Sequence, residues 1–213
     1  MKTLLYFIIF LGIGLKSNAQ KYDPDYILID SINYEYRFHH LENYFNRYPD
    51  KRPSANLDST IINRNYRAIY EIKNNRLYLN SLLIKRNESA TNYSKNVINK
   101  IFPNENQRFL SWASGLFYVG FGDKKISPQD SLHISYSQYI VLEIKNGLVV
   151  RRDDFNSKQM QAFEDYQYQR FTKTKEYVKI KERLKKSTTM SEWEIESHIL
   201  KNILYYSRKN QLK

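Results

Sequence analysis

YRAIYEIKNNRLYLNSL, residues 66–82, holds two alternating runs joined by an asparagine pair. Successive side chains of a strand point to opposite sides, so Tyr66, Ala68, Tyr70 and Ile72 share one face. Asn74-Asn75 tolerate the positive φ of a two-residue hairpin turn. That loop sets Ile72 opposite Leu77 and Tyr70 opposite Leu79, so both strands turn apolar side chains the same way. A β-hairpin with one buried face is expected.

The same logic extends downstream. Residues 139–150 read YIVLEIKNGLVV, in which Asn146-Gly147 is the strongest short hairpin signal, and Leu148 to Arg151 should return against Leu142 to Lys145. With a strand at 115–121, the runs 66–73, 76–84, 115–121, 133–145 and 148–152 predict an antiparallel sheet of about five strands. Upstream, residues 26–37 predict one or two short strands. Leu41, Tyr44, Phe45 and Tyr48 mark one helical face stopped by Pro49, and residues 50–59 read as a loop. Residues 91–102 predict a short helix.

From Ser157 onward there is neither Pro nor Gly. Residues 157–186 predict one long helix, and Ser191-x-x-Glu194 is a capping box that opens a last helix with Ile195, Ile199, Ile203 and Tyr206 on one face. The fold class expected is α+β, strands first and helices last. Its parts are a β-rich unit over 20–156 and a basic helical extension over 157–213.

Residues 1–19 read as an address. Lys2 precedes an apolar run from Leu4 to Leu15, and Ser17-Asn18-Ala19 suits signal peptidase cleavage before Gln20. Twelve helical residues span about 18 Å, short of the roughly 30 Å hydrocarbon core, so a cleaved leader is favoured over an anchor. The expectation is an exported chain, periplasmic or extracellular, without a transmembrane helix in its mature form. Asn87 and Asn92 head glycosylation sequons, taken here as chance. The 213 residues contain no cysteine, which excludes disulfide scaffolds, thiolate zinc sites, cysteine nucleophiles and a lipoprotein anchor.

The chain carries 34 Lys and Arg against 22 Asp and Glu, a net charge of +12. Loss of Lys2 and Lys16 with the leader leaves +10, and export argues against nucleic acid as the partner. Eight basic residues fall within 17 positions: Arg170, Lys173, Lys175, Lys179, Lys181, Arg183, Lys185 and Lys186, against Glu176 and Glu182. Interleaved with Phe171, Tyr177 and Ile180, they suit docking on an acidic protein or an anionic envelope surface, although a solvated helix face is the plainer reading.

Motifs for catalysis are sparse. Of His39, His40, His133 and His198, none stands in a metal-ligand spacing. Ser111 and Ser114 flank Trp112 without a nucleophile elbow. Asp153-Asp154 read as acids favouring the start of the helix at Ser157. Gly120-x-Gly122 reads as a turn device, Trp112 as a core anchor before a ligand platform. Arg67 and Glu71 lie on the hairpin face opposite the tyrosines. No catalytic residue, cofactor or metal is implied.

LENYFNRYPDKRP (41–53), NYRAIYEIKNNRLYLNSL (65–82), SWASGLFYVGFGDK (111–124) and YIVLEIKNGLVV (139–150) occur in that order. Together they resemble a group of small bacterial proteins of no established activity, over roughly residues 30–152. That group shows a leucine-glutamate-x-tyrosine-phenylalanine segment, an arginine-glycine-tyrosine and tryptophan-glutamate-isoleucine-lysine hairpin, a tryptophan-phenylalanine-serine-glycine strand and a closing asparagine-glycine hairpin. Arg67 and Trp112 match its pattern. Ala68 and Ile69 replace the glycine-tyrosine, Tyr70 stands at the tryptophan, and Ala113 replaces an aromatic. The Asn, Ile, Lys and Tyr richness also resembles exported proteins of low-GC Gram-negative bacteria. The functional expectation is a non-enzymatic envelope binding protein, with an envelope hydrolase or an immunity or inhibitor protein as the alternatives.

Overall fold

The computed structural model describes residues 24–53, 66–85, 93–126 and 134–207. The expected leader, most of the 50–59 loop, Asn87, Asn92 and His133 lie outside the described residues. The elements run β1 (Asp25–Ile29), β2 (Ile32–Tyr36), α1 (His40–Arg47), β3 (Tyr66–Lys73), β4 (Arg76–Lys85), β5 (Tyr93–Asn96), α2 (Ile98–Ile101), β6 (Gly115–Ile126), β7 (Ile134–Lys145) and β8 (Leu148–Asn156). Four C-terminal helices follow: α3 (Ser157–Phe171), α4 (Lys175–Ser187), α5 (Glu192–Lys201) and α6 (Ile203–Tyr206). The architecture is α+β.

Three tight hairpins among the described residues share one device. Asp30-Ser31, Asn74-Asn75 and Asn146-Gly147 all hold positive φ, the geometry whose twist matches that of the flanking strands. Around Asn74-Asn75, Ile72 faces Leu77 and Tyr70 faces Leu79, the register its alternation predicts. Leu148 returns against Lys145, and Arg152 against Leu142 across a bulge.

The sheet is larger than expected and not purely antiparallel. Among the described residues it has eight strands, in the order β2-β1-β3-β4-β8-β7-β6 with β5 also on β4. β1 pairs in parallel with β3, Ile27 beside Tyr70. A parallel pair needs a long crossover, here the stretch containing α1, and no local pattern announces it. Residues 91–102 are also not a single helix: Tyr93–Asn96 pairs with β4 before a single helical turn.

The turns of the β3–β4 and β7–β8 hairpins meet, Leu77 N–H on Gly147 O and Val149 N–H on Asn75 O, each at 2.8 Å. At the ends of the order, β2 and β6 approach through Tyr34 and Phe121, ring centroids 5.3 Å apart. The sheet thus curls around a first core containing Ile27, Tyr36, Phe45, Tyr70, Phe117 and Leu142.

β6 and β7 are buried on both faces. Phe117 and Ile140 point into the first core, whereas Leu116, Tyr139 and Val141 point outward to Met160, Phe171, Ile195, Ile199 and Ile203 of the helices. The near-continuous apolar run YIVLEI of β7 reflects that double cover. Three fully buried isoleucines on α5 and α6 contribute on the order of 2 kcal/mol each.

The single helix expected over 157–186 is broken at Thr172–Thr174. Thr174 Oγ1 donates to Phe171 O at 2.7 Å and accepts from Tyr177 N–H at 3.2 Å, closing α3 and capping α4. Such hydroxyls bond nearby backbone groups and so compete with the helical ladder without Gly or Pro. The Ser191–Glu194 capping box forms as its spacing predicts, and a second, Asn156–Gln159, starts α3. Among the described residues no helix is long and apolar enough to cross a membrane.

Candidate functional site

Where the C-terminal helices lean on β6, they leave a cleft of about 400 Å³ against the start of α1. Arg37, His39 and Tyr118 line its sheet side; Glu164, Lys201 and Tyr205 line its helical side. Its volume lies in the range of small-molecule sites, roughly 300–1,000 Å³.

The sheet side is anchored by a buried carboxylate. Asp25, wholly buried at the start of β1, accepts from Ala68 N–H at 2.9 Å and from His39 Nδ1–H at 3.2 Å. The pair fixes the imidazole tautomer and holds His39 at the cleft. His40 turns the other way, into the core, with Nε2 at 2.8 Å from the Tyr36 hydroxyl and its ring 4.7 Å from Phe117.

Glu164 comes from α3. Burial, with neighbouring Asp165 adding repulsion, pushes its carboxyl up to about 7. The Tyr118 phenol is pushed up to about 12, first by burial and then by Glu164, with Arg37 opposing. Tyr139 is raised mainly by burial; its hydroxyl accepts from Tyr136 N–H at 2.7 Å. Arg37 Nη2 donates to the Tyr136 hydroxyl at 3.5 Å. One carboxyl, several phenols, a guanidinium, an ammonium and a carboxylate-backed imidazole therefore converge from elements far apart in sequence.

The basic segment divides by face. Lys181 turns inward to Glu196 (2.6 Å) and Glu192 (2.7 Å), and Lys185 lies 3.6 Å from Glu192. Glu196 also accepts from the hydroxyls of Tyr168 and Tyr177, each at 2.5 Å. Burial alone would raise the Glu196 carboxyl, but the hydrogen bonds from Lys181, Tyr168 and Tyr177 outweigh it and hold it at about 2. Lys173, Lys175, Lys179, Arg183 and Lys186 are exposed, while Arg170 packs over Tyr166 with its guanidinium carbon 5.6 Å from the ring centroid. Trp193, next to Glu192 in α5, is 76% exposed.

The other sequence candidates have structural employment. Trp112 stacks on Tyr44 at 5.2 Å and donates its indole N–H to His40 O at 3.3 Å. Arg67 lies between the rings of Tyr26 and Tyr93, at 5.4 and 4.8 Å. Asp153 and Asp154 do not follow the last strand, which runs through them to Asn156 and directly into α3. They belong to β8, where Arg151 pairs with Asp153 at 2.8 Å and Arg152 with Asp30 at 2.5 Å and Asp154 at 3.5 Å. Gly122 is no turn between strands; it takes φ +75° at a bulge within β6. Ser114 Oγ accepts from Asn146 N–H at 2.8 Å and so supports the last hairpin.

Sequence reasoning passed over Asp25, Arg37, Tyr118, Glu164 and Lys201. The one local hint was Glu164 beside Phe163 on the apolar side of α3. Among the described residues no group of three or more His, Asp or Glu is placed to hold a metal ion. No protein-family model, curated protein or solved structure matches the chain.

Proposed function

We propose that the protein is an exported, non-enzymatic binding protein of the bacterial envelope, docking on an anionic lipid surface through α4 and the start of α5. The observation that carries this reading is the division of the basic segment. Lys181 is consumed within the helices, while Lys175, Lys179, Arg183 and Lys186 stand on the solvent side of α4. The exposed Trp193 at the start of α5 supplies an amphipathic ring suited to the headgroup layer. Export through residues 1–19, and kinship of residues 30–152 with the bacterial group they resemble, are part of the same proposal.

The test is co-sedimentation with vesicles containing phosphatidylglycerol, against phosphatidylcholine alone. Each lysine near such a surface contributes about 1 kcal/mol. Replacing Lys175, Lys179 and Lys186 with Glu therefore weakens binding at low salt at least about a hundredfold. Equal binding by this triple variant refutes the reading. Capture by an acidic protein with no affinity for vesicles points to the inhibitor alternative instead.

An envelope hydrolase is the second reading, favoured by the Asp25–His39 pair and Glu164 in one cleft. A carboxyl near 7 can both give and take a proton at neutral pH. Turnover of ester or glycoside substrates that is lost in both His39→Gln and Glu164→Gln would support it.

A further inference from the structure

We propose that the open edge of β8 pairs antiparallel with β8 of a second copy of the chain, joining the two sheets about a two-fold axis at Asp153. This goes beyond surface docking on α4, and the pairing itself does not rest on that reading.

β8 runs from Leu148 to Asn156, but β4 meets it only at Leu148, opposite Arg76. Val149 N–H still reaches Asn75 O on that side. Past the bulge at Val150, Arg151 to Asn156 pair in unbroken register with Glu143 to Gln138 of β7. Among the described residues no strand pairs with the other edge of this stretch. Such an edge carries a row of unpaired N–H and C=O groups, the template on which another strand adds. Leu148, Val150, Arg151, Arg152 and Asp154 are accordingly all exposed.

Charge selects the partner. Charged side chains commonly guard an edge against foreign strands, and here the guard reads Arg151-Arg152-Asp153-Asp154. Identical strands pair antiparallel about a two-fold axis normal to the sheet, which sets residues of the same face opposite one another. Arg152 and Asp154 share one face, 3.5 Å apart. Arg151 and Asp153, 2.8 Å apart, share the other with Phe155, whose ring packs on Phe163 of α3. With Asp153 on the axis, Arg152 of each copy stands opposite Asp154 of the other, so both cross-strand pairs are attractive. The two Asp153 carboxylates meet at the centre, each neutralised by its own Arg151. Moving the axis to Arg152 instead opposes two guanidiniums and sets Asp154 against the bulged Val150. Arg152 also bonds Asp30 at 2.5 Å, but its five N–H donors leave capacity for a further carboxylate. One short strand a side makes a small interface, of the weak and transient class.

An axis normal to the sheet also keeps the helix-covered face of β6 and β7 on the same side in both copies. On the α4 reading, which this consequence alone requires, dimerisation doubles the basic surface offered to one membrane.

Sedimentation velocity of the full chain across a concentration series, combined with charge exchange, tests the pairing. The wild type should show a monomer–dimer equilibrium. Arg152→Asp and Asp154→Arg, each alone, should weaken it at least about tenfold, because each turns both cross-strand pairs into like charges. The two variants mixed should form a heterodimer about as tight as the wild-type dimer, since the mixture restores both opposite-charge pairs. The chain has no cysteine, so Asp153→Cys puts one thiol of each copy at the axis, where oxidation should join two chains. Lys186→Cys on α4 should crosslink far more slowly. A wild type that stays monomeric up to about 0.5 mM overturns the proposal. So does a dimer unmoved by both charge variants, or a mixture that associates no better than either variant alone. If a charge variant loses its circular dichroism, the cysteines decide: equal crosslinking at both positions overturns the pairing. The α4 triple variant should dimerise as the wild type does, so failure of vesicle docking and failure of β8 pairing are told apart.

Discussion

Glu196 ties three helices together, and its replacement by Gln should loosen them measurably. Its carboxylate accepts from Tyr168 of α3 and from Tyr177 and Lys181 of α4 at 2.5, 2.5 and 2.6 Å. Those bonds lower its pKa from 4.5 to about 2 against the opposing effect of burial. At about 1.4 kcal/mol per tenfold change in proton affinity, the ceiling is roughly 3 kcal/mol. The side chain remains 27% exposed, and solvent screening brings the expected contribution to about 2 kcal/mol. Because the folded-state pKa is depressed, this stability is present in full above about pH 4.5 and drains away as pH falls toward 2. Lys181, raised by its bonds to Glu192 and Glu196, stays charged throughout that window and adds no pH dependence there. Urea unfolding of the wild type and of Glu196→Gln, followed by circular dichroism from pH 7 to pH 2.5, measures the difference directly. Wild type should lead by about 2 kcal/mol at pH 7, and the two curves should converge in acid. A gap below about 0.5 kcal/mol at pH 7, or one of constant size down to pH 2.5, would refute the reasoning.

Glu164 should behave in the opposite sense. Its raised pKa makes the wild type lose stability as pH climbs through about 7, so Glu164→Gln should be the more stable protein at pH 8 by about 1–3 kcal/mol and not at pH 4.5. Asp25→Asn keeps an acceptor for Ala68 N–H but disturbs His39. About 1–3 kcal/mol should be lost, with a changed His39 tautomer visible in ¹⁵N NMR. Gly147→Ala places a Cβ 2.7 Å from Leu110 O at φ +79°, and should cost about 1–3 kcal/mol in urea unfolding while leaving the helical core intact.

What could be read in advance is what neighbours in sequence settle among themselves. The register of the 66–82 hairpin followed from alternation plus a turn pair able to hold positive φ, and the Asn146-Gly147 hairpin from the same two signals. The Ser191–Glu194 box closes over four residues and was equally visible. Tyr93–Asn96 escaped because its side chains are mostly polar and exposed, so nothing alternates; β4 alone makes it a strand. Thr172 and Thr174 broke the long helix through their hydroxyls, a weaker signal than the Gly or Pro whose absence suggested continuity. Asp153 and Asp154 read as helix-start acids because β8 runs four residues further than its apolar pattern, held there by pairing with β7 and by Arg151 and Arg152.

The candidate cleft was almost wholly hidden. Arg37, Glu164 and Lys201 meet only because β1 slots in parallel beside β3 and the C-terminal helices fold back over β6 and β7. Those contacts cost loop closure over tens of residues, and burial alone repays it, with no local pattern to mark the partner. Sequence by itself determined the registers of the hairpins at Asn74-Asn75 and Asn146-Gly147, the capping box, the strands-then-helices order and the concentration of positive charge between Arg170 and Lys186. Tertiary structure decided which of those charges are spent on Glu192 and Glu196 and which face solvent. It also decided where the charged groups converge: a side chain's face is a local property, but its partner and its desolvation depend on what the rest of the chain brings against it.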